Sequence, residues 1–159
     1  MSDLTDSVKN TLTSLISGAG DVVSTAQNVA RENVVKALQN VGSVAEAGTT
    51  AVSDVITGGV EALSSTGGSI TDGVTGLVRG VVDGAKDVGV DTTKAAGEAA
   101  SGVVHSVSNV GGDVGGAAVS AVAGAVSAAG DIGGDVGSLA KGATLGAIKA
   151  ADEIGSDGG

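Results

Sequence analysis

Cut into elevens from Thr11, the chain carries an apolar residue at the ninth position of each block, from Ala19, Ala30, Val41, Val52, Leu63 and Val74 through Val107 to Ala140 and Ala151. The seventh position, running Ser17, Asn28, Gln39, Thr50, Glu61, Asp72, Asp83, Lys94, His105, Gly116, Ser127, Ser138 and Lys149, is polar in every block but one. Eleven residues fit three α-helical turns, an advance of about 98° per residue. At that angle positions 1, 2, 5, 8 and 9 gather on one face and positions 3, 4, 7, 10 and 11 on the other. A strand would need period two, which the columns lack. The pattern predicts an all-α chain with an apolar stripe on each helix.

A second layer doubles the period. Ile16, Leu38, Val60, Val82, Val104, Val126 and Ile148 recur every 22 residues at the sixth position, with Gln27, Thr49, Thr71, Thr93, Gly115 and Gly137 between them. The fourth position alternates likewise, with Gly58, Gly80, Gly102, Gly124 and Gly146 in one half and Ser69, Asp91, Asp113 and Asp135 in the other. Just before the latter stand Gly67-Gly68, Gly89, Gly111-Gly112 and Gly133-Gly134. Glycine accepts the left-handed turn past a helix C-terminus, and Ser or Asp at an N-cap accepts hydrogen bonds from free amides. The expectation is one array over 1–159 of about seven 22-residue units, less regular over 1–66 and glycine-rich over 67–159.

Helices from Ser69, Asp91, Asp113 and Asp135 would run about 27 Å each. Earlier candidates are Asp3 to Ser17, Asp21 to Val41 and Ser43 to Ser65. The sequence leaves open an unbroken rod of about 240 Å with the glycine pairs as soft hinges. The balance favours helices that break or bend at the Gly-Gly-Asp points. A Gly/Asp/Val-rich β-solenoid is a third architecture that composition allows.

Composition narrows the chemistry. The chain has 29 Gly, 25 Ala and 26 Val but no Phe, Tyr, Trp, Pro or Cys. Thiolate metal sites, cysteine nucleophiles, disulfides and aromatic stacking platforms are thereby excluded. Eight Lys plus Arg against 18 Asp plus Glu give a net charge of -10, which repels phosphate backbones and makes nucleic acid a poor partner. The start, MSDLTDSVKN, lacks the basic and apolar regions of a secretory signal, so a cytoplasmic or particle-associated protein, peripheral to a membrane at most, is expected. Acidic balance and scarce Lys also resemble proteins adapted to high salt, where screening relieves self-repulsion.

Candidate sites are few. His105, the single histidine, lies in the polar seventh column and cannot build a zinc site alone. Asp91, Asp113 and Asp135 stand 22 residues apart without the dense acidic neighbours of a calcium loop, and read as helix caps. No GxxxxGK[ST] or GxSxG pattern occurs; Lys141-Gly142 follows Leu139-Ala140 and makes no phosphate loop. Glu32 with Lys36 and Asp91 with Lys94 have helical spacing suited to surface support. No enzyme, cofactor or metal is expected.

The stretch Val114 to Gly130 holds 17 residues without a charge, and no Lys or Arg occurs between Lys94 and Lys141. Such a segment sits at the lower edge of spanning length without basic anchors. It reads better as a tight protein interface or an interfacial segment.

These columns, with GAKDVGVDTTKAAGEAASGVV over Gly84 to Val104, give a chain that resembles amphipathic repeat proteins: synucleins, perilipins, exchangeable apolipoproteins and late-embryogenesis-abundant proteins. The resemblance implies disorder in water and helix on lipid. Where synuclein-type repeats carry Lys beside the apolar arc, this chain carries Asp, Ser and Gly, which weakens attraction to anionic lipid. The glycine content is also similar to glycine-zipper segments of membrane-associated and virion structural proteins.

Few large side chains leave the isolated monomer marginal, because Ala contributes little burial and each interior Gly costs about 1 kcal/mol. Two environments offset this, and they give the two functional expectations. In the first, a non-catalytic structural protein coats an apolar surface, a membrane, granule or particle inner membrane, through Val60, Val74, Val81, Val82, Val103, Val104, Val107, Val114, Val126 and Val136. In the second, Gly and Ala faces pack against copies of the same chain as a homo-oligomeric filament, bundle or length-setting rod, with the right-handed supercoil of an eleven-residue coiled coil.

Overall fold

The computed structural model describes residues 3–18, 22–41, 45–67 and 69–158. Among the described residues the chain is all-α, with seven helices and no strand: α1 (Asp3–Gly18), α2 (Val22–Val41), α3 (Ala45–Thr66), α4 (Ile70–Val88), α5 (Thr92–Asn109), α6 (Val114–Ile132) and α7 (Val136–Gly158). Of the positions singled out in sequence, Ala19, Asp21, Ser43 and Gly68 lie outside the described residues.

The later helix boundaries follow from local chemistry. Ser69 Oγ accepts from the Asp72 amide at 3.3 Å, Asp91 Oδ1 from Thr93 and Lys94 at 3.0 and 3.3 Å, Asp113 Oδ1 from Gly116 at 3.0 Å and Asp135 Oδ1 from Ser138 at 3.2 Å. Each satisfies first-turn amides that have no partner within their own helix. At the other ends, the amides of Val90, Gly112 and Gly134 donate to the carbonyls of Ala85, Val107 and Ala129, each at 2.9 Å. Gly133 closes α6 at φ 69°, a left-handed conformation in which a Cβ would be strained.

Short turns of this kind reverse the chain, so successive helices are antiparallel and helices two apart are parallel. The odd helices α1, α3, α5 and α7 pack side by side in one layer, and α2, α4 and α6 in the other. An unbroken rod is therefore not the form adopted. The core lies between the layers, where Leu12, Val34, Val55, Ile56, Leu63, Val74, Leu77, Val81 and Val103 are fully buried. Each such Val or Leu contributes about 1.5–3 kcal/mol. Across the layers, Leu77 fills the space over Gly59, and reciprocally Leu63 fills the space over Gly73. Large side chains are seated here by glycines on the facing helix.

Within a layer the contact is backbone to backbone. On α4, Gly76, Gly80 and Gly84 face the carbonyls of Val23, Gln27 and Arg31 on α2, one helical turn after another. Gly58 of α3 meets Thr5 of α1, Gly124 of α6 meets Thr75 of α4, and Gly142 and Gly146 of α7 meet Thr93 and Gly97 of α5. This corrects the helical-wheel expectation, which put the fourth position on the polar arc. Gly58, Gly80, Gly102 and Gly124 are buried, because a helix inside a two-layer array has neighbours in its own layer as well as across it.

Candidate interaction surfaces

The sequence nominated ten valines as a face for an external surface. Val60, Val74, Val81, Val82, Val103, Val104 and Val107 are instead wholly inside the chain's own core. Val114 is half-buried against that core. Only Val126 and Val136, 36% and 45% exposed, reach solvent substantially. The neighbouring helices supply the apolar environment that a lipid was expected to supply.

Where its burial is described, at Asn28 and from Glu61 onward, the seventh column stays at least partly exposed, with one exception. Asp83 on α4 is 5% exposed, its Oδ2 accepting from Gln27 Nε2 on α2 at 2.7 Å while Oδ1 has no protein partner. Burial pushes its carboxyl above the ordinary aspartate value, the hydrogen bond from Gln27 opposing that shift. Around it gather Arg31, Arg79, Asp87 and Asp131 from three helices of one layer. Arg31 Nε donates to Asp87 at 2.7 Å, which holds the guanidinium more firmly protonated, and Arg79 Nη2 donates to Asp131 at 2.7 Å.

These bonds belong to a wider series. Each links a helix to the one two further on: Lys9 to Glu61 at 3.6 Å, Arg31 to Asp87 and Arg79 to Asp131, with the cation upstream, and the imidazole Nε2 of His105 to Glu153 at 2.9 Å. Between α3 and α5 a Thr57–Ser106 hydroxyl pair at 3.3 Å takes the same place. His105 thus sits on the polar face, beside a carboxylate of another helix. Partners 48 to 56 residues apart carry no local sequence signal, so only the fold reveals them. Exposed pairs of this kind are worth at most about 1 kcal/mol each, and align helices more than they hold them.

Asp91, Asp113 and Asp135 occupy helix N-termini as described above. The two amide and hydroxyl bonds from Ser138 hold the Asp135 carboxyl below its ordinary value. Among the described residues no cluster of three or more His, Asp or Glu side chains is placed to share a metal ion. A depression runs over α3, α5 and α7, lined by Thr57, Lys94, Ser101, His105, Ser106 and Lys149 among others.

Among the side chains whose burial is described, exposed large apolar residues are concentrated on α6 and α7. Val119 of α6 is 71% exposed, and Leu145 and Ile148 of α7 are each 56% exposed. Ala118, Val119, Val122, Ala123, Thr144, Ala147 and Ile148 line a shallow groove between the two helices. At the opposite end the exposed side chains of α1 over 5–14 and of α2 over 22–38 are polar, among them Asp6, Ser7, Asn10, Asn28, Glu32 and Lys36. Among the described residues α6 is the one helix long and apolar enough to cross a membrane, with mean hydropathy 1.3 and a third of its window buried.

No known family model and no curated protein sequence matches this chain.

Proposed function

We propose that this chain is a non-catalytic structural protein: a tandem array of 22-residue helical units, broken at the Gly-Gly-Asp points, that folds on itself and offers an apolar end for self-association. The carrying observation is the division of apolar surface. Seven of the ten nominated valines are in the interior, whereas Val119, Leu145 and Ile148 stand exposed together on α6 and α7. Repeat arrays need a polar face wherever an end meets water, and the α6–α7 face exposes Val119, Leu145 and Ile148 instead.

Far-UV circular dichroism in water, with and without neutral vesicles, tests this reading. A folded array is helical without lipid and unchanged by it. A coil that becomes helical only on vesicles would overturn the proposal.

One observation favours a surface-coating role instead. Helix α6 has a single charge, Asp131, and exposes Val119 and Val126. In that reading the α6–α7 end lies on an apolar surface while the rest of the array stays folded. Vesicle flotation of the wild type, lost on Val119→Asp, supports it; absence of flotation removes it.

A further inference from the structure

The exposed stripe of α7 has an order that the groove alone does not explain. Lys141, Leu145, Ile148 and Asp152 follow one another at i, i+4, i+7 and i+11, so they lie along one helix face, and all four are exposed. About 16 Å separates the first from the last. The stripe is apolar in its middle, basic at one end and acidic at the other.

Such an arrangement is self-complementary under a two-fold axis placed midway between Leu145 and Ile148. An antiparallel second copy of α7 sets Leu145 against the partner's Ile148 and Lys141 against the partner's Asp152, each pair occurring twice. Val119 of α6 borders the same face across the groove.

We infer that the α6–α7 end is the interface of a two-fold homodimer, formed by antiparallel packing of α7 stripes. Head-to-tail stacking is disfavoured, because the exposed side chains of α1 over 5–14 and of α2 over 22–38 are polar. Shallow lipid insertion is disfavoured as well, since Lys141 and Asp152 stand in the stripe itself and would have to enter the apolar layer. The inference rests on the self-association reading above and names its partner and geometry.

Sedimentation velocity of the full chain over about a hundredfold concentration range, at moderate salt and without lipid, tests it. The expected result is a monomer–dimer equilibrium. Reversing one charge, Lys141→Asp or Asp152→Lys, creates two like-charge contacts per dimer and weakens association about tenfold. The double variant Lys141→Asp/Asp152→Lys restores it, and Leu145→Asp abolishes it with the helical circular dichroism intact. A helical monomer at every concentration overturns the dimer while leaving the folded array standing. Loss of helicity in water defeats the array itself. Association that the double swap fails to restore overturns the antiparallel register, and flotation on neutral vesicles without dimers assigns the face to lipid.

Discussion

A Cβ built on Gly124 of α6 would stand 2.6 Å from the carbonyl oxygen of Thr75 on α4 and 3.0 Å from the Val78 Cβ. Backbone cannot retreat as a side-chain tip can, so the two parallel helices keep their spacing only while position 124 has no side chain. Gly102 of α5 differs: the corresponding Cβ meets Ile56 at 3.4 Å, an ordinary contact.

These two positions give opposite expectations for one substitution. Gly124→Ala lowers stability by about 1–3 kcal/mol through overpacking. Gly102→Ala raises it by about 0.5–1 kcal/mol, because alanine is the better helix former. Urea unfolding followed by circular dichroism reads both, and equal effects at the two sites would contradict the packing described.

Leu77 and Gly59 form a testable couple across the layers. Leu77→Ala removes a fully buried side chain and costs about 2–5 kcal/mol. Gly59→Ala is damaging alone, since its Cβ would meet Leu77 Cδ2 at 2.5 Å, but is tolerated once Leu77 is alanine. A double-mutant cycle should yield a coupling of at least about 1 kcal/mol; additive effects would place the residues apart.

Asp83 sets a pH dependence. Its carboxyl titrates higher in the folded chain than in the unfolded one, so the folded state binds the proton more tightly. Wild-type stability from this group therefore falls as pH rises from the ordinary aspartate range through the raised folded value. Asp83→Asn removes the buried charge and can retain an acceptor for Gln27. It is expected to flatten that fall and to raise neutral-pH stability by about 1 kcal/mol. Thermal melts of both proteins between pH 4 and 8 make the comparison, and parallel profiles would contradict it.

Asp135 behaves in the reverse sense. Hydrogen bonds from Ser138 depress its folded value, so its contribution is present above the unfolded aspartate range and is lost as pH falls through the depressed folded value. Asp135→Asn keeps a capping oxygen at neutral pH and deletes the acid-side loss. Melts below pH 5 of the two proteins should converge at the lowest pH; a constant difference would deny the shift.

Much of the secondary structure is legible in the sequence. The eleven-residue columns give helix rather than strand, and Ser69, Asp91, Asp113 and Asp135 stand one residue before the first residues of α4, α5, α6 and α7. Packing is less legible. Hydrophobic periodicity treats Gly80 or Gly124 as neutral and assigns it to the polar arc, yet the absence of a side chain is what lets a parallel neighbour approach. The polar column likewise hides Asp83, whose burial depends on Gln27 lying 56 residues away. The stripe Lys141, Leu145, Ile148 and Asp152 is visible as spacing, but its exposure depends on where the last described helix lies.

Hydrogen exchange of the lipid-free chain at low concentration asks whether the valine-rich helices are protected by their own chain. Slow exchange is expected through the buried stretches of α4 and α5, around Val74–Val82 and Ala95–Val107, with no further slowing when neutral vesicles are added. Fast exchange through both helices in water, with protection appearing only on vesicles, would contradict it.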